Sequence, residues 1–195
     1  LSINQFKTMR HYMKDSVKIL DATMDITTRD TGVHYMRWME KILPPPTYVK
    51  GAGFKDGTLV DRWQEFEYVV PATVVQWVGA LEAGRGAREN RNQPGGFNIR
   101  IYHGVTPKTE SSCYYFWTPL NGYKPKEKEA TQLLHKEIAL TFNEDIEFLE
   151  SQQSCMAATL DQVFVNTRHD SARLLARRSI ERMIQKETKA QLAAE

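Results

Sequence analysis

Asp145 stands in the run Thr141-Phe142-Asn143-Glu144-Asp145-Ile146-Glu147, where apolar residues Leu134, Ile138, Phe142, Ile146 and Leu149 recur at helical spacing. Its carboxylate lies beside that stripe, so it can turn toward the interior. A carboxylate taken from water needs a cation, a metal or a set of donors. The plainer alternative is that Glu144, Asp145, Glu147 and Glu150 form a solvated acidic face. Two further residues break apolar patterns. His103 follows Phe97, Ile99 and Ile101 on one side of a strand, and Gln76 interrupts the run Thr73 to Leu81. Each has two readings: a polar group satisfied within the core, or a contact to a ligand in a cavity.

No metal motif is complete. His11, His34, His103, His135 and His169 include no HxxxH or HxxxxH pair. There is no GxSxG, and Gly84-Arg85-Gly86 lacks the spacing of a phosphate loop. Cys113 and Cys155 form no CxxC and read as reduced thiols of a cytoplasmic protein.

The elements that must position these residues follow from pattern. Residues 1–21 carry apolar residues three or four apart and suggest a short amphipathic helix. Alternation from Ala22 to Thr27, a turn at Arg29 to Gly32 and a strand from Val33 to Met39 make a hairpin. It sets Tyr35 and Arg37 on one face and His34, Met36 and Trp38 on the other. Pro44-Pro45-Pro46 reads as an extended surface connector. Asp61 to Tyr68 and Thr73 to Leu81 pair as antiparallel strands broken at Pro71, the second of them central. Glu82 to Gly96 reads as a long mobile loop. Phe97 to Val105 and Ser111 to Trp117 form another hairpin, closed by Thr106 to Glu110, and Pro119 to Pro125 is a loop. A long helix runs from Lys126 to Ser151 and a brief strand covers Gln162 to Asn166. Asp170 or Ser171 caps a last helix to Leu192, with Leu174, Leu175, Ile180, Met183 and Ile184 facing inward. Strands first and helices last, with hairpin connections, predict an α+β fold: a curved antiparallel sheet gripping a long C-terminal helix. A cavity between sheet and helix is a place for a small apolar ligand, with Asp145, His103 and Gln76 facing it.

The chain has 195 residues, a size for a single domain, residues 1–195, with 41% hydrophobic and 26% charged residues. A net charge of +2 gives no argument for nucleic acid or an acidic membrane surface, and no apolar run approaches membrane-spanning length.

Several stretches, in this order and spacing, resemble one family. They are Trp38-Met39 leading to Leu43-Pro44-Pro45-Pro46, then Asp61-Arg62-Trp63-Gln64, then His103-Gly104-Val105-Thr106-Pro107-Lys108-Thr109-Glu110 with Tyr114-Tyr115-Phe116-Trp117. Phe142-Asn143-Glu144-Asp145 with Glu150-Ser151-Gln152-Gln153 and the Arg-rich last helix complete the set. Residues 30–187 resemble the C-terminal catalytic domain of Rieske non-haem iron oxygenases, of the vanillate O-demethylase oxygenase type. The resemblance implies a helix-grip, START-like domain. It implies that Asp145 is the carboxylate of a 2-His-1-carboxylate site for mononuclear Fe(II), and that His103 and Gln76 match substrate-facing positions. It implies an aromatic substrate hydroxylated or O-demethylated with O₂, a Rieske [2Fe-2S] cluster, a reductase or ferredoxin component, and a homotrimer. Vanillate-like, methoxybenzoate-like and sulfonated aromatics all fit. The family's CxH and CxxH cluster motifs and its DxxHxxxxH-like iron-binding stretch are absent from these 195 residues. The expectation is therefore a C-terminal portion of a longer oxygenase, cut after those ligands, which binds iron poorly and turns over nothing by itself. The rival expectation is a helix-grip module that binds a hydrophobic ligand without catalysis.

Overall fold

A computed structural model describes residues 22–158 and 166–193. The expected N-terminal helix, and all but the last residue of the expected strand at Gln162 to Asn166, lie outside the described residues. Among the described residues, six strands form one sheet in the order β1 to β6, every neighbouring pair antiparallel. They are β1 Thr23–Arg29, β2 Gly32–Ile42, β3 Val60–Val69, β4 Thr73–Glu82, β5 Phe97–Thr109 and β6 Ser112–Asn121. Short helix α1, Pro46–Ala52, joins β2 to β3; long helix α2, Lys128–Ala157, and final helix α3, Ser171–Leu192, follow the sheet. The fold is α+β, a curved sheet and long helices, as the pattern predicts.

Period-two alternation decides which side chains meet. Pairing sets Gln64 opposite Val78 and Val78 opposite Ile99; Phe66 lies opposite Gln76, and Gln76 opposite Ile101. These side chains share the inner face with His103 and with Trp117, its partner on β6. Leu134 and Ile138 of α2 are buried in one cluster with Phe97, Val78, Ile99 and Ile101, with Phe142 packed against it. Each fully buried Leu or Ile stabilises the contact by about 1.5–3 kcal/mol.

The outer face is held differently. A Cβ on Gly79 would lie 2.2 Å from the Trp63 ring, so that ring lies flat across the glycine. Trp38, Trp63, Leu81 and Ala87 make a second cluster there. Ala87 belongs to the loop after β4, which sequence suggests is mobile. Instead the loop is laid onto the sheet: Arg88 stacks over Trp38 and bonds Glu40, while Arg91 bonds Glu65.

Other boundaries also move. The proline run is no surface connector: Pro45 is buried and Pro46 opens α1, where a missing N–H costs nothing. Gly53 closes α1 in the left-handed conformation (φ 77°), donating to the Val49 carbonyl. The β5–β6 turn tightens to Glu110 and Ser111, because β5 runs on to Thr109, past the end of its apolar alternation. Pro119 lies inside β6 rather than in a loop, and β6 is an edge strand, where proline is tolerated. The α2 stripe is buried only as far as Phe142; Ile146 and Leu149 are exposed. Helix α3 packs on β2 and begins after a capping box between Thr167 and Asp170. Its most buried residue is Ser179, and Ile184, expected inside, is exposed.

Candidate active site

Between the sheet, α1 and α2 lies a cavity of about 400 Å³. That is a volume suited to a small aromatic molecule. Val78, Ile99, Ile101, Ile138 and Phe142 give it apolar walls. Asp145, His103 and Gln76 all line it, so the structure brings the three residues singled out from sequence to one place.

Phe142 fixes the helix against the sheet. Its ring meets Trp117 edge-on at 5.1 Å and lies 5.5 Å from His103 and 6.0 Å from Tyr115. Asp145 is three residues further along α2, on the same side of the helix, and so comes to the cavity near Tyr115. The carboxylate is half-buried, not part of a solvated face. Burial raises its pKa, and the neighbouring Glu144 charge adds to the effect.

His103 and Gln76 are tied together. The Gln76 amide oxygen lies 3.1 Å from His103 Nε2, which makes Nε2 the protonated nitrogen. Nδ1 is then the acceptor for the Tyr115 hydroxyl at 2.6 Å. The chain Tyr115 to His103 to Gln76 thus runs in one direction with a neutral ring. The electrostatics agree: burial lowers the His103 pKa. Burial and then the Asp145 charge push Tyr115 up to about 12, so its proton stays available for donation.

Tyr48, Arg62, Gln64 and Tyr115 also line the cavity and were not assigned as site residues from sequence. Tyr48 is placed by α1 and stacks on Phe97 at 4.1 Å, which stacks in turn on Tyr123 at 4.8 Å. Arg62 is only 4% exposed and its guanidinium lies 5.1 Å from the Tyr48 ring centre. Gln64 accepts from Arg37 Nε at 2.9 Å and also from Nη2. The signal for Arg62 and Gln64 was in the alternation of β3, which gives both to the face carrying Phe66.

Among the described residues, no group of three or more His, Cys, Asp and Glu side chains could hold a metal ion. His103 uses both ring nitrogens within the wall. The described residues therefore offer iron one carboxylate and do not by themselves fit an iron site.

Residues 10–186 match the model of the vanillate O-demethylase oxygenase C-terminal domain. The chain belongs to this family. It is 32% identical over 171 residues to a vanillate O-demethylase oxygenase subunit of a Pseudomonas species, covering 85% of this chain and 52% of that protein. It is 25% identical over 127 residues to a putative toluene-4-sulfonate monooxygenase system iron-sulfur subunit of Comamonas testosteroni, covering 65% and 37%. Crystallographic dicamba monooxygenase bound to 3,6-dichlorosalicylic acid superposes with a TM-score of 0.72 at 16% identity, covering 95% of this chain and 55% of that one. Dicamba monooxygenase with non-haem iron and dicamba superposes with a TM-score of 0.59 at 18% identity, covering 86% and 50%. At such identity the superpositions speak to fold: this oxygenase-family domain has the architecture of a Rieske oxygenase catalytic domain. The chain spans about half the length of the curated vanillate O-demethylase relatives it matches.

Proposed function

We propose that this chain is the catalytic-domain portion of a terminal oxygenase that acts on an aromatic substrate in the cavity between sheet and α2. The observation that carries the reading is Asp145: in a member of an oxygenase family, a carboxylate three residues past Phe142 turns into an apolar cavity of ring size. In the full protein Asp145 is one ligand of a mononuclear Fe(II), with the other ligands supplied from outside the described residues. An iron held there would supply O₂ activation, and its electrons would come from a reductase through a Rieske [2Fe-2S] cluster. Hydroxylation and O-demethylation both fit an aromatic ring held against this wall. The relatives' names support an oxygenase component working with an electron-transfer partner. The assembly is a trimer and the compartment the cytoplasm.

What these residues do is bind and orient. The apolar walls exclude water, and Phe142 holds Asp145 at the cavity. The Tyr115–His103–Gln76 chain keeps a neutral imidazole in one tautomer. The test uses the full encoded protein, loaded with iron and its cluster, with a reductase and NADH. Methoxybenzoates should release formaldehyde with O₂ uptake. Asp145→Ala should remove the mononuclear iron by metal analysis and lower turnover by at least about a hundredfold, with the cluster spectrum unchanged. Unchanged iron content and activity in that variant would sink the assignment. Aromatic binding with no O₂ chemistry would favour the non-catalytic helix-grip module.

A further inference from the structure

Two glutamines of the sheet line the cavity, and each has its amide oxygen taken by another side chain. Gln64 on β3 accepts from Arg37. An arginine can only donate, so the orientation of that amide is settled by its partner. Gln76 on β4 meets His103 Nε2 at 3.1 Å. A neutral imidazole nitrogen donates in one tautomer and accepts in the other, so His103 alone does not settle the Gln76 amide. The lateral neighbours of Gln76 do not settle it either, since Phe66 on β3 and Ile101 on β5 are both apolar.

The deciding group stands one residue further off. The Tyr115 hydroxyl lies 2.6 Å from His103 Nδ1, and the two rings are within 9° of parallel. Among the described residues this hydroxyl has no other hydrogen-bond partner. Its proton therefore goes to Nδ1, the ring proton stays on Nε2, and Nε2 donates to the Gln76 oxygen. That leaves the Gln76 amide nitrogen, a donor, for the cavity. With the ring proton on Nδ1 instead, the Tyr115 proton would lose its acceptor. Gln76 would then have to turn over to give Nε2 a donor, and would show the cavity its carbonyl oxygen. Phe142 packs on both rings, 5.5 Å from His103 and 6.0 Å from Tyr115, and adds no polar group that could substitute for the hydroxyl.

We infer that Tyr115 is a positioning residue, which acts through His103 to hold the Gln76 amide with its N–H donors toward the ligand. The ligand so favoured is an aromatic with a hydrogen-bond acceptor on the substituent that meets Gln76; no charge on it is required. Without the hydroxyl, each tautomer leaves one ring nitrogen unmatched, so the two come close in free energy and the amide is released to turn over. This rests on the reading of the cavity as the ligand site, and adds to it the residue that sets the polarity of the β4 wall.

The experiment uses the full encoded protein, stripped of iron by a chelator. The probes are 4-methylacetophenone, whose carbonyl oxygen accepts, and 4-isopropenyltoluene, in which a methylene replaces that oxygen. Equilibrium dialysis gives the ratio of their affinities. Tyr115→Phe should shift this ratio against the ketone by at least about threefold, the size of one neutral hydrogen bond. In a Gln76→Met background the same substitution should leave the ratio within about 1.5-fold, because the group through which Tyr115 acts is gone. A ratio unchanged in Tyr115→Phe, or shifted equally in both backgrounds, would overturn the role. One measurement needs no substitution at Tyr115 and so survives a poorly folding variant. Imidazole ¹⁵N shifts of the unmodified protein, with the His103 signals assigned by their loss in His103→Gln, should show the proton on Nε2 alone. A proton on Nδ1, or on both nitrogens, overturns the role as well. Turnover of aromatics with no coupling between Tyr115 and Gln76 would remove this proposal and leave the oxygenase reading. Coupling without turnover would do the reverse.

Discussion

His103 has both ring nitrogens engaged within the cavity wall, and this gives its neighbours their roles. A polar residue in an apolar series is costly unless every group on it is matched, and here Tyr115 and Gln76 match it from the two adjoining strands. Glu65, on the opposite face of the sheet, shows the same economy with a charge. Burial alone would raise its pKa, but hydrogen bonds from His34 at 2.8 Å and Arg91 at 2.5 Å outweigh that and lower it. The sign follows. A folded-state pKa below the unfolded one contributes stability that is present above the unfolded value, about 4.3, and is lost as pH falls through the folded value. Glu65→Gln should therefore cost about 1–2 kcal/mol at pH 7, read from urea midpoints. The gap to wild type should close as the pH is taken below about 4. A gap that stays constant or widens on acidification would show that the carboxylate is not held as the structure has it. At this scale the sequence was informative where a residue broke a pattern, as Asp145, His103 and Gln76 do. For Arg62 and Gln64 alternation groups both with Phe66 but does not say which face of the sheet is the inner one, so they look like solvated residues until the register is seen.

Strand elements were legible because alternation and turn chemistry agree over most of the sheet. The sides assigned to Tyr35 and Arg37 and to Phe97, Ile99, Ile101 and His103 follow the observed register. Helix α1 was not legible: seven residues show no helical period, and three prolines resemble a rigid corner until one is seen at the first helical position. The far half of α2 misled for the opposite reason, since apolar residues at helical spacing continue past the point where the inner-face cluster ends. Helix α1 matters because it carries Thr47 and Tyr48 into the cavity wall. It approaches the sheet through Gly51, where a Cβ would stand 2.7 Å from the Phe97 ring and 3.1 Å from Tyr123. Those rings are stacked and have little room to give. Gly51→Ala gains about 1 kcal/mol of helix propensity and loses more to overpacking, for a net loss of about 1–2 kcal/mol. The urea midpoint of the variant is the measure. An unchanged or raised midpoint would mean that α1 is not seated against Phe97.

At the scale of the whole molecule, the described residues hold apart two things that an oxygenase needs together: a shaped cavity and a full set of iron ligands. The cavity walls that the described residues show come from the sheet, α1 and α2. A full ligand set is not gathered there, because among those residues no group of three or more His, Cys, Asp and Glu side chains could hold a metal ion. One carboxylate is a weak hold on Fe(II), which in such sites takes two imidazoles as well. Anaerobic titration of Fe(II) into the isolated 195-residue chain should therefore give no stoichiometric binding against a mild chelator. Asp145→Asn should change the weak residual binding little. Tight one-to-one binding that Asp145→Asn abolishes would place the missing ligands within this chain. The division between a cavity here and ligands elsewhere would then have to be abandoned.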